Sequence, residues 1–309
     1  MERRKKSFLA FHGKRAWRSR YLLIMILIPL IHIVIFSYLP MYGAQIAFRD
    51  YRIIDGIWGS RWVGFDNFRQ FFNSVFFFRL LRNTVVISAL QIALTFPAAI
   101  LLALMINEMR NKRVKKSVQT IVYMPHFISV VVVAGIIRGV LAPNSGIINV
   151  IAEAITGRTI FFFNEPQFFP WILAFSDVWQ STGFNSIIYL AAISSIDPGL
   201  YEAAVMDGAS RMKQIRHVTI PALVPTIVIL FILQIGGLFT VGFQRILLLY
   251  NPTIYETADI IQTFVFRRGI GAQDFSYAAA VDMFNAFLNL AMLVIFNKVM
   301  RRFAETSLW

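Results

Sequence analysis

Cysteine is absent from this chain. That excludes disulfides, thiol nucleophiles and cysteine-based metal sites. Histidine is scarce, and its four copies (His12, His32, His126, His217) are scattered without metal-ligand spacing. No G-x-x-x-x-G-K-[ST] phosphate loop occurs. "FHGKRAW" (Phe11–Trp17) holds a Gly-Lys pair, but no earlier glycine stands at the right distance and Arg15 follows. The chain therefore cannot hydrolyse ATP by that route. No serine nucleophile elbow, H-E-x-x-H or paired-carboxylate constellation stands out, so we read the chain as non-enzymatic in itself. No two-halves repeat is visible, which argues against a self-contained secondary carrier. Acidic residues are also few, 16 against 30 Lys and Arg, for a net charge of +14.

Apolar surface is abundant instead. Of the 309 residues 57% are hydrophobic, 30 are Phe, and mean hydropathy is +0.63. A soluble domain of this composition could not cover itself with polar atoms, so a bilayer is the expected solvent. Six stretches are long enough to cross the hydrocarbon core as helices: 21–41, 83–106, 121–142, 171–194, 222–248 and 279–300. The expected fold is an all-α, polytopic membrane protein. The first stretch, "YLLIMILIPLIHIVIFSYLP", is too long for a secretory leader and no small-residue cleavage site follows, so it is expected to remain. Pro29, Pro97 and Pro225 fall within or at the start of spans, where neighbouring helices can satisfy the freed carbonyls.

The basic residues flank the apolar runs, so they read as orientation signals rather than as a nucleic-acid surface. Nineteen lie on one side: in the tail at 1–20 (Arg3, Arg4, Lys5, Lys6, Lys14, Arg15, Arg18, Arg20), in "NEMRNKRVKKS", in the fourth connection and near the C-terminus. The opposite side has nine, most of them in one long loop. The richer side is expected to be cytoplasmic, with both termini there and cytoplasmic tails at 1–20 and 301–309.

One connection is too patterned for a turn: "SSIDPGLYEAAVMDGASRMKQIRHVTIPALVP", from Ser194. Asp197 can cap a helix with Pro198 at its first position. Leu200, Ala203, Ala204 and Met206 give that helix an apolar face, and Gly208 can end it by adopting positive φ. A second short helix follows, with Met212, Ile215 and Val218 spaced by three, and Pro221 is expected to stop it before the fifth span. Periodicity leaves two readings of this knob: it lies among lipid headgroups, or it docks a protein.

The residues Glu202-Ala203-Ala204, Asp207-Gly208-Ala209 and Val218-Thr219-Ile220-Pro221 resemble the EAA loop of ATP-binding-cassette importer permeases, E-A-A-x-x-D-G-A followed by I-x-L-P. Ile220 replaces the usual Leu, and Ile215 stands where Phe is common. In that family the loop (197–221 here) is a coupling helix that inserts into a groove on a cytoplasmic ATPase. The resemblance assigns that role to Glu202, Ala203, Ala204, Asp207, Gly208, Ala209 and Arg211. It also implies the type I importer permease fold in a bacterial inner membrane, with a second homologous permease, two ATPase subunits and an extracytoplasmic solute-binding protein as partners. ATP and Mg would sit on the ATPase subunits, with no cofactor on this chain. Further stretches extend the resemblance. "WVGFDNFRQFF" through "LRNT" (Trp62–Thr84) is similar to the G-x-x-N-F lead into the second span of carbohydrate permeases. "GAQDFSYAAA" (Gly271–Ala280) is similar to the lead into the last core span of maltose-type permeases. "YLPMYGAQIAFRDY" (Tyr38–Tyr51) resembles a subgroup importing alginate and rhamnogalacturonan fragments.

Amide side chains and aromatic rings bind sugars, and "DVWQSTGFNSIIYL" in the fourth span supplies both. Counted back from Glu202, Gln180, Ser181 and Phe184 fall where the maltose-permease resemblance puts substrate contacts, and Asn185 lies beside them. Gln234, Phe239 and Gln244 are the fifth-span candidates. Each has a competing role in interhelical bonding or packing. Arg138 and Arg245 lie near the external side, where the readings are snorkelling, a cationic lining for an anionic sugar, or a gate ion pair. Gly236-Gly237 marks a close helix approach or a kink. The resulting expectation is an importer subunit for oligosaccharides. The competing readings are a permease for a non-sugar solute, a secondary carrier and a membrane-embedded enzyme.

Overall fold

Hydrocarbon offers a backbone no water to bond, and a helix satisfies its own N–H and C=O groups. The chain is accordingly mostly helical in a computed structural model, which describes residues 19–240 and 242–304. The basic tail expected at 1–20 therefore lies, save Ser19 and Arg20, outside the described residues, as do 305–309 of the C-terminal tail. The elements run α1 (Arg20–Phe48), a hairpin of β1 (Arg49–Asp50) and β2 (Arg61–Trp62), α2 (Asp66–Phe72), α3 (Phe77–Asn107), α4 (Lys112–Tyr123), α5 (Val130–Val140) and α6 (Ile147–Thr156). They continue through α7 (Phe169–Ser194), α8 (Pro198–Met206), α9 (Arg211–Gly236), α10 (Phe243–Leu249), α11 (Ile261–Phe266) and α12 (Phe275–Ala304).

Four helices, α1, α3, α9 and α12, are long and apolar enough to cross a membrane. Pro29, Pro97 and Pro225 are carried inside α1, α3 and α9 without ending them. The run expected at 171–194 is α7, which is long enough at 26 residues but carries buried polar side chains: Ser176, Gln180, Thr182 and Ser186.

Three expectations need correction. The run at 121–142 is not one straight span, because α4 with its following turn meets α5 at 99°. Pro125 sits in a 3-10 turn, and Ser129 starts α5 afresh by accepting from Val132 N. The run at 222–248 is broken too. α9 ends at Gly236, a 3-10 turn covers Leu238–Thr240, and Gly242 at φ +77° launches α10. Gly236 proves to be both a close approach and a break, since a β-carbon there would strike Leu293 of α12. Finally, Pro221 does not stop a helix before the fifth span. A π turn over Ile215–Thr219 widens the helix just upstream, so α9 continues from Arg211 through the residue that lacks an N–H.

α3 and α7 run side by side along much of their length. At the end of the bundle where both finish, Ala99, Ala103 and Ile106 meet Tyr189, Leu190 and Ile193, with Leu223 of α9 closing the cluster. Alanines here let backbones approach, which in lipid supplies the van der Waals contact that holds helices together. At the other end Phe71, Leu80, Ile92, Phe264, Tyr277 and Val281 pack together, with Phe239 among them. Midway along α7, Gly183 lies against the backbone of Val122 so closely that no side chain fits. That contact fixes the depth of α4 in the bundle. The residues of α1 are exposed from Arg20 through Tyr42, and only its last turns, with Ala47 buried, pack against α12. Its apolar surface needs lipid or another subunit.

Candidate functional site

The connection after α7 folds as a knob at the basic end. Asp197 caps α8 by accepting from Gly199 N at 2.9 Å, and Pro198 takes the first helical position. The helix closes with two crossing bonds, Ala209 N to Ala204 O at 2.9 Å and Gly208 N to Val205 O at 3.0 Å. This is the Schellman arrangement, and it requires the left-handed residue found at Gly208, φ +72°. The knob is tied to the start of α9 by Gln214 Nε2, which donates to Ala209 O at 3.0 Å, and by Tyr201 and Thr219, whose hydroxyls lie 3.0 Å apart.

What the knob leaves free is informative. Glu202, Asp207 and Arg211 are exposed and carry no side-chain bond or ion pair among the described residues. Leu200, Val205 and Met212 are exposed as well, and Met206 is 88% exposed. Of the remaining residues assigned here, Ala203 is exposed, while Ala204 and Ala209 are half-covered. A rigid helix-turn-helix thus presents apolar and charged side chains with nothing among the described residues to meet them.

The second place of interest is a polar cluster inside the bundle. The Arg245 side chain, at the start of α10, is buried between α7 and α10. It donates to Ser176 Oγ at 3.1 Å and to Gln180 Oε1, and lies 3.4 Å from Asp177 Oδ1. Asp177 also accepts from Thr95 at 3.0 Å and Ser181 at 3.0 Å, and Gln180 donates to Ile128 O at 2.9 Å. A buried guanidinium needs such a partner, since an unpaired charge there is strongly unfavourable. Asp177, Gln180, Gln244, Arg245 and Gln262 line a cavity of about 470 Å³. Beside it lies Gln91, 1% exposed, against Gly242 and with neither amide atom bonded among the described residues. Gln262 Oε1 is likewise buried and unpaired. Buried amides without partners mark places where water or a ligand completes the bonding.

Of the residues singled out in the sequence, Gln180, Ser181, Gln244 and Arg245 come together here. Asn185 and Gln234 line a separate cavity of about 290 Å³ with Phe96 and Tyr189. Phe184 stacks flat on His126, centroids 3.9 Å apart. Phe239 packs in the core cluster, with its backbone N–H on Asn289. Arg138 is exposed and caps the carbonyl of Leu248 at the end of α10. Asp177, Gln91 and Gln262 escaped the sequence reading. An acid inside an apolar run is itself a signal, and Asp177 opens the quoted fourth-span segment. Gln91 shows nothing in sequence, because only the fold sets it beside Gly242.

A third cluster braces the far end. Asp259, fully buried, accepts from Arg267 at 3.1 and 2.7 Å, from Thr263 at 2.9 Å and from Arg79 at 3.4 Å. Burial works against the Arg267 charge, but the hydrogen bonds and charge of Asp259 outweigh it and raise the pKa of Arg267. Asn83 donates to the carbonyls of Glu256 at 2.9 Å and Asp259 at 3.0 Å, and Thr84 Oγ1 accepts from Ile261 N at 3.1 Å. The "LRNT" stretch is thus a clamp holding α3 against the 255–267 segment.

Uncovered apolar helices, a polar-lined cavity inside the bundle and a knob at the basic end without a partner among the described residues fit a membrane-embedded subunit that works with other chains. The family described as "Binding-protein-dependent transport system inner membrane component" matches residues 95–304, and the chain belongs to it. It is similar to the polygalacturonan/rhamnogalacturonan transport system permease protein YteP of Bacillus subtilis, 41% identical over 94% of this chain and 91% of that one. It is also similar to LplB of Bacillus subtilis, 37% identical over 94% of this chain and 92% of the relative. Among solved structures it resembles a chain of a bacterial ABC transporter involved in the import of the acidic polysaccharide alginate. That match has a TM-score of 0.87 and 42% identity over 94% of this chain and 98% of that chain. The expected kinship with alginate and rhamnogalacturonan importers is met on both sides.

Proposed function

We propose that the chain is one permease subunit of an ATP-driven importer of oligosaccharides, acidic ones included, and forms half of the translocation pathway. The likeness to the alginate transporter chain along nearly the full length carries this reading. That transporter has also been solved in complex with an alginate pentasaccharide-bound periplasmic protein. On this reading the partners are a second permease, two ATPase subunits holding ATP and Mg, and a solute-binding protein outside. The six apolar runs cross the inner membrane six times, α4–α5 as a bent span and α7 as a polar-lined one, with both termini cytoplasmic.

The knob at 197–221 is the coupling helix. Its rigid Schellman turn and its ties to α9 let a push on α8 reach the membrane without being absorbed locally. Substrate passes the Arg245 cavity, where Gln91, Gln180, Gln244 and Gln262 offer amides to hydroxyl groups. The Asp177 carboxylate keeps Arg245 paired while the passage is empty. The Asn185–Gln234 cavity continues the polar lining toward the basic end.

Reconstitution tests the reading. In proteoliposomes containing this chain, its partner permease, the ATPase pair and the binding protein, uptake of a labelled acidic oligosaccharide requires internal ATP. It stops when the ATPase is omitted. Uptake driven by an ion gradient without the ATPase would make the chain a secondary carrier and refute the proposal.

A further inference from the structure

The basic connection at 110–116 does more than set orientation. α4 begins with Lys112, Arg113, Lys115 and Lys116, capped by Asn111, whose side chain accepts from Arg113 N and Val114 N. Those N–H groups are satisfied, so any anion here meets side chains rather than the helix end. Arg113, Lys116, Ser117, Thr120 and Ile121 share one helical face and line an open concavity of about 530 Å³. Met124 continues the same stripe and is exposed. The side chains of Arg113, Lys116 and Ser117 carry no hydrogen bond or ion pair among the described residues, and Thr120 is spent on Lys116 O.

Depth follows from packing. Val122 lies against Gly183, midway along α7. Nine residues of helix separate Val122 from Arg113, about 14 Å at 1.5 Å per residue. Half of a hydrocarbon core is about 15 Å. Arg113 and Lys116 therefore stand near the phosphates of the leaflet at the basic end, and Ile121 and Met124 stand among its acyl chains. The stripe changes from cationic to apolar over the distance at which a phospholipid changes from phosphate to chain.

We propose that this face of α4 binds one anionic phospholipid, its phosphate on Arg113, Lys116 and the Ser117 hydroxyl and an acyl chain along Ile121 and Met124. The occupant is a lipid rather than a free phosphate, because the concavity runs on into apolar surface below the charges. The bound lipid would pin α4 just ahead of the 99° bend, where the described residues cover only the face of Lys115, Val118, Gln119 and Val122.

The test uses the full chain purified with its co-purifying subunits. The complex goes into nanodiscs of phosphatidylcholine with a minor fraction of phosphatidylglycerol, and retained lipids are then read by native mass spectrometry. Wild type is expected to retain phosphatidylglycerol with a preference about tenfold or more above that of R113Q/K116Q. The control K112Q/K115Q, at two basic residues that do not line the concavity, removes the same net charge and should keep the wild-type preference. Equal loss in both double variants would overturn the proposal in favour of a diffuse surface charge. So would displacement of the lipid by millimolar inorganic phosphate, or protection of Arg113 and Lys116 from labelling by the ATPase subunits in lipid-free detergent.

Discussion

Glu202→Lys in the reconstituted transporter is expected to lower both ATP-driven uptake and transport-coupled ATP hydrolysis by about 100-fold or more, with membrane insertion unchanged. Glu202 is exposed on α8 and unpaired among the described residues, so the substitution disturbs no contact seen there. The whole effect falls on whatever surface meets the knob. Like charges placed across a docked interface cost several kcal/mol, and each 1.4 kcal/mol is about a factor of ten. Gly208→Pro should give the same loss by another route. Proline cannot adopt the φ of +72° found there, and it deletes the N–H that Val205 O accepts. Uptake in membrane vesicles, normalised to inserted protein, checks both. Wild-type uptake in either variant would remove the knob from the force path.

The second large effect concerns assembly. Asp259→Asn should cut the half-melting temperature of the detergent-purified chain by roughly 10 °C, followed by size-exclusion fluorescence after heating. The carboxylate is fully buried and answers Arg267 with both oxygens and Arg79 with one. Removing one partner of a buried ion pair costs about 3–5 kcal/mol, because the remaining charges are left uncompensated. Arg79→Gln should cost less, since its side chain is one-third exposed and its contact longer, and Arg267 would still neutralise the carboxylate. Equal melting of D259N and wild type would show that this clamp does not brace the 255–267 segment.

Helices and the knob were legible because their signals are local. Apolar length announces a span, Asp197-Pro198 announces a helix start, and Gly208 announces its end. Of the breaks, Gly236-Gly237 marked one, and the bend after Pro125 was not legible. Pro125 and Pro221 look alike in sequence, each beside an apolar run. One accompanies a 99° bend, while at the other a π turn absorbs the missing donor. Neighbouring backbone decides between these outcomes. The site was half-legible for the same reason. Gln180, Ser181 and Arg245 are polar residues in greasy runs and attract notice singly, yet their convergence on Asp177 depends on how α7 meets α10. Phe239 has the composition of a sugar-stacking ring but packs in the core, because the break after Gly236 turns it toward Ile92 and Phe264. Asp259, Arg79 and Arg267 come from segments far apart in the chain, and no spacing rule links them.

Because the chain contains no cysteine, Met206→Cys creates a single thiol at a point of the knob that is 88% exposed. Cross-linking of that thiol to cysteines placed around the groove of the ATPase subunit, with and without ATP, reads directly whether the motor grips the chain there. The account predicts a cross-link to the ATPase alone, at a position within the groove that shifts when nucleotide binds. Labelling of the introduced thiol only from the outer face of sealed vesicles, or a cross-link absent under every nucleotide condition, would contradict it.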